Sequence, residues 1–177
     1  MINDYEATRP ITTDAFIPST DTNDEPISTL NGLIAICKDG EAGFKEAADG
    51  VTRTDLKSLF QEFSAQRAIF AGELQTLVQT LGGDPETSGN VSAMVHRAWI
   101  GIKAAVTGKD EGAILNECEM GEDYAKKAYN EALEQTLPDY VLETVQNQYT
   151  AVLSAHDRIK ALRDTTNGEK SSSATAS

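Results

Sequence analysis

Four polar residues stand where otherwise apolar helix seams would place a core side chain: Glu41, Glu62, Glu122 and His156. Gln66, one turn beyond Glu62, fills the same kind of position, and Glu119 lies within reach of a partner beside His156. A carboxylate taken out of water must be paired, protonated or bound to a cation. Carboxylates with an imidazole suit iron or another divalent cation. Bundles that hold two metals use one Glu on each of two helices and a Glu-x-x-His on each of the other two. Here the second helix offers Glu62-Phe-Ser-Ala65 with no His, and the last offers Leu153-Ser-Ala-His156 with no Glu. Neither motif is intact, which leaves two readings. In one, Glu41, Glu62, Glu122 and His156 are metal ligands, with Gln66 and Glu119 in reserve. In the other, a metal-free polar cluster is hydrogen-bonded through Gln66, Gln148 and Tyr149.

The elements that must position these residues follow from apolar spacing of three and four. The first helix is expected over Ile27–Asp49, with Pro26 in its first turn and a seam through Leu30, Leu33, Cys37, Glu41, Phe44 and Ala48. Gly50 is expected to end it as a left-handed cap. Thr52 or Thr54 caps a second helix whose seam runs Leu56, Phe60, Phe63, Gln66, Phe70, Leu74, Leu77 and Leu81, until Gly82-Gly83-Asp84-Pro85 stops it. A shorter helix over Val91–Val106 carries Trp99 on an apolar face, and at about 24 Å it is long enough to return the chain along the bundle. A third long helix spans Asp110–Gln135 through Leu115, Cys118, Glu122, Ala125 and Tyr129. A fourth starts at Thr136-Leu-Pro-Asp139 and runs to Arg163 through Val145, Gln148, Val152, His156 and Ile159. Short loop, long crossover, short loop gives an all-α, antiparallel four-helix bundle with a helical crossover between its second and third helices, the topology of ferritin-like chains. Residues 27–164 form this bundle, 1–26 a loosely ordered arm rich in Pro and Thr, and 165–177 a polar disordered tail.

Composition narrows the partners. The net charge of −13 argues against nucleic acid and against an anionic membrane, both of which select Lys/Arg surfaces. No apolar run approaches the length of a membrane span, and no signal segment is evident, so a cytoplasmic home is expected. Homo-oligomerisation through helix faces remains open. Cys37 and Cys118 sit in apolar seams and read as small buried hydrophobes, with a redox pair as the sharper alternative. No nucleophile motif, phosphate loop or Cys-x-x-Cys pair is present.

The run Leu30-Asn-Gly-Leu, Cys37-Lys-Asp-Gly-Glu41-Ala-Gly-Phe44, with Ala65-Gln66-Arg67, Phe70-Ala-Gly-Glu73, Leu81-Gly-Gly-Asp-Pro85, His96-Arg-Ala-Trp99, Glu117-Cys-Glu119, Gly121-Glu122-Asp123 and His156-Asp-Arg-Ile-Lys-Ala-Leu162, resembles a bacterial ferritin-like family of uncharacterised function. The resemblance covers about residues 28–164 and implies the fold and a bacterial origin, but no reaction. The expected function is therefore a stress-associated structural or interaction protein with a degenerate or absent metal site. The alternative is an iron-binding carboxylate bundle with ferroxidase-like or oxidative-stress activity. Whether the chain is an enzyme stays open at this stage.

Overall fold

A computed structural model of the protein describes residues 23–87 and 99–175. Most of the expected N-terminal arm and the first part of the expected crossover helix, with His96, lie outside these residues. The described chain is all-helical: α1 (Asp24–Gly50), α2 (Thr54–Thr80), the short α3 (Ile102–Thr107), α4 (Glu111–Leu133) and α5 (Asp139–Thr175). None of its helices is long and apolar enough to cross a membrane.

α1 starts with Asp24 and Glu25 in the first turn, where carboxylates complement the positive helix end. It stops at Gly50, but not through a left-handed cap: among the described glycines only Gly82 has positive φ, at 84°. The missing side chain of Gly50 serves a different purpose, because a Cβ there would run into Val106 of α3. Neither Thr52 nor Thr54 caps α2 with its side chain. Instead Glu111, from the first turn of α4, accepts hydrogen bonds at 3.0 Å from Thr52 N, Thr52 Oγ1 and Arg53 N. Burial opposes ionisation of Glu111, yet these bonds together hold its pKa below the ordinary carboxylate range.

That contact fixes direction. The start of α4 lies at the α1–α2 turn, so α4 runs antiparallel to α1, and α5 returns antiparallel to α4. At the opposite end Gly82 takes the left-handed turn after α2, and the side-chain amides of Asn23, just before α1, and Asn31 of α1 donate to Leu81 O and Asp84 O at 3.1 Å. α1 packs on α2 and α4, α5 packs on α4 and α2, and α3 lies against α1 and α4. α5 extends past Arg163 to Thr175, beyond the expected start of a disordered tail. The polar sequence there contains no proline, the residue whose missing N–H and ring break a helix.

The interior divides into two apolar clusters. One holds Leu30, Leu33, Ile34, Leu74, Val78, Val141, Val145 and Val152. The other holds Phe44, Leu56, Phe60, Phe63, Ile114, Leu115, Ala155 and Ile159, and α3 and Trp99 close it. Trp99 meets the Phe44 ring edge-on at 5.0 Å and packs over Gly43 of α1 and Gly121 of α4, where any Cβ would collide with the indole.

Candidate functional site

A polar layer separates the two apolar clusters. Its centre is Arg67 of α2, only 1% exposed, whose Nη2 donates to Glu122 Oε2 of α4 at 2.6 Å. Nη1 donates to Gln66 Oε1 at 3.0 Å, and the guanidinium lies over the rings of Phe44 and Phe70 at 5.9 and 5.6 Å. Room for the long side chain comes from Gly40: a Cβ there would sit 3.3 Å from Arg67 Cγ. Burial pushes the Glu122 carboxyl up and Arg67 opposes it, while burial of Arg67 is outweighed by Glu122, which holds the guanidinium firmly charged. Arg67 Nε is buried without a hydrogen-bond partner.

The seams thus run through Gly40 and Arg67, not through Glu41 and Gln66. From Cys37 a step of three reaches Gly40 and a step of four reaches Glu41, and both are allowed on a helix. The same ambiguity separates Gln66 from Arg67 after Phe63. A glycine carries no hydrophobic signal, and an arginine reads as surface until its partner is known. The spacing Phe63, Arg67, Ala71, Leu74 was the available clue.

A hydrogen-bonded chain leads from this layer to the surface. Tyr129 OH donates to Gln148 Oε1 at 2.7 Å, so the Cys37 thiol, 3.1 Å from the Tyr129 hydroxyl oxygen, is the donor to Tyr129. Gln148 Nε2 then donates to the exposed Glu73 carboxylate at 2.7 Å. Burial pushes the Cys37 thiol up to about 11, against the opposing effect of its hydrogen bond with Tyr129, and raises Cys118 and Tyr129 in the same way. Both cysteines are buried and free. Of the residues named for a polar cluster, Gln66 bonds Arg67 and Gln148 bonds Tyr129 and Glu73, so the tyrosine bonded to Gln148 is Tyr129 where Tyr149 was expected.

The ligand set expected for iron does not converge. Glu122 and His156 are buried, at 1% and 6% exposure. Glu62 is exposed, and Glu41 is half-buried on the outer side of the α1–α2 pair, lining a groove with Lys45, Ser64 and Ala65. With two of the three carboxylates facing outward and the third bonded to an arginine, the residues do not fit a two-metal centre in the bundle interior. Glu119 is brought together with His156. It joins Asp123 and His156 in a group whose ligand atoms all lie within 4.8 Å of one another.

A family model described as a domain of unknown function, DUF2383, matches residues 25–135. The chain belongs to the DUF2383 family. The DUF2383 match takes in α1 to α4, and with them Gly40, Arg67 and Glu122, while Gln148 and His156 lie beyond it on α5. No curated protein matches the chain.

Proposed function

We propose that this DUF2383 chain is a ferritin-like four-helix bundle that acts as a structural or interaction protein, with the cation position at its centre filled by its own Arg67. The observation that carries this reading is the ion pair of Arg67 and Glu122 at 2.6 Å, each about 1% exposed. In a carboxylate bundle the buried anions need a cation. Here the guanidinium supplies it, 1% exposed and packed over two aromatic rings. The up-down-down-up directions of α1, α2, α4 and α5, with α2 ending and α4 starting at opposite ends, support the ferritin-like part of the reading. Two buried free thiols suit a cytoplasmic location, where thiols stay reduced.

The deciding experiment is aerobic oxidation of Fe²⁺ followed by absorbance, with and without the full chain. The expected rate equals that of the protein-free control. Oxidation that is faster with the protein, saturates with Fe²⁺ and disappears in Glu122→Gln would make the bundle centre a redox site and overturn the proposal.

A further inference from the structure

The second group of ionisable side chains lies on the α4–α5 edge and differs in kind from the central pair. Glu119 and Asp123 are four residues apart on α4 and so project from one face. His156 of α5 faces them, and it is buried although Asp123 is exposed. The imidazole is held from both sides: Nδ1 lies 3.0 Å from Asp157 Oδ1, and Nε2 lies 3.0 Å from Asp123 Oδ1 and 3.3 Å from Lys126 Nζ. Lys126 Nζ also reaches Asp123 Oδ1 at 3.1 Å. With Nδ1–H donating to Asp157, Nε2 and Asp123 Oδ1 are two acceptors 3.0 Å apart that repel each other unless a cation bridges them, and the Lys126 ammonium lies within reach of both.

Two features mark this as a ligand arrangement and not simply an acidic surface. A carboxylate on the far ring nitrogen is the usual support of a metal-binding histidine, because it fixes the tautomer and leaves the other nitrogen as donor. A cation, the Lys126 ammonium, already sits where the imidazole lone pair and the Asp123 oxygen converge. Ligand atoms about 2.1 Å from a common ion lie no more than about 4.2 Å apart, so the 4.8 Å spread closes with a small rotamer change. Both resident cations are replaceable. Lys126 is about one-third exposed on a flexible stem, and Arg163, bonded to Glu119, keeps Asp164 at 2.6 Å as a second partner.

We infer that Glu119, Asp123 and His156 form a mononuclear site for a first-row divalent cation, with Asp157 orienting the histidine and Lys126 as the internal competitor. Two oxygens and one imidazole nitrogen suit Zn²⁺ or Co²⁺, and the remaining coordination positions face solvent beside Asp123. The site joins α4 to α5, so occupancy stabilises the native bundle by mass action. It goes beyond the structural reading of the bundle centre and does not depend on it.

The test is titration of the full chain with Co²⁺ and Zn²⁺, read by cobalt absorption and calorimetry. One ion per chain is expected. Asp123→Asn and His156→Gln abolish the cobalt spectrum, Asp157→Asn weakens binding about 10- to 100-fold, and Lys126→Met tightens it. Glu41→Gln and Glu62→Gln leave it unchanged. Circular dichroism confirms that each variant is folded, and Lys126→Met, a partly exposed position, stays informative if His156→Gln is not. Absence of binding at millimolar ion, or no tightening in Lys126→Met, overturns this site and leaves the proposed function standing. Loss of binding in Glu41→Gln or Glu62→Gln overturns both, because the ion would then lie in the interior set.

Discussion

Glu122 and Asp123 are adjacent on one turn of α4, and each meets a basic residue, yet the two pairs behave as opposites. Glu122 points inward to Arg67, both about 1% exposed. Asp123 points outward to Lys126 and His156 across a 56% exposed carboxylate. Inside, the cation is clamped by Phe44, Phe70 and Gln66, and water cannot replace it. At the edge the cation hangs on a flexible stem with solvent beside it. The same chemical types therefore make a fixed internal neutralisation in one place and an exchangeable cation position in the other. Burial decides which, because it sets the cost of leaving either charge alone.

Removing one partner of the inner pair is the severest way to break the comparison. Arg67→Met strands Glu122 as a buried anion and should cost about 3–5 kcal/mol in urea unfolding. Arg67→Met combined with Glu122→Leu replaces both charges with apolar groups and should recover most of that loss, so the two changes are strongly non-additive. Additive losses would mean that the pair is not coupled.

The dryness of the inner region can be tested by pH. The Cys37 thiol has its pKa raised from 9.0 to about 11, chiefly by burial. The unfolded chain releases this proton first, so the thiol's contribution to stability is complete below about pH 9 and is lost as pH rises towards 11. Two units correspond to about 2–3 kcal/mol. Cys118 and Tyr129 are shifted in the same direction and add to the loss. Urea unfolding at about pH 8 and about pH 10.5 should show the decline, and Cys37→Ala should make it shallower. An equal slope in Cys37→Ala would show that the thiol is not desolvated as the fold implies.

The edge should respond least. In the absence of divalent cations Lys126→Met should change stability by no more than about 1 kcal/mol, since its partners are solvated and the pair is screened. A loss as large as that of Arg67→Met would remove the distinction between the two regions.

Much of this architecture was legible in the chain. The apolar steps at Leu30, Leu33, Cys37 and Phe44, and at Val141, Val145, Val152 and Ile159, specify amphipathic helices wherever they occur, because burial of a stripe follows from spacing alone. The Gly82-Gly83-Asp84-Pro85 stop is local chemistry and was equally readable. Glu122, His156 and Gln148 were identifiable as buried polar groups because each lies on such a stripe. What each polar group faces was not. A helical step of three or four leaves about 100° of rotation undecided, and that rotation separates Glu41 from Gly40, and Gln66 from Arg67. Only the neighbouring helices resolve it: Arg67 turns inward because Gly40 leaves space and Glu122 waits across the bundle, while Glu41 and Glu62 turn out to water. The sequence by itself determined which faces are buried. The charge partners within them were decided by packing, because pairing depends on distances between helices that no local pattern encodes.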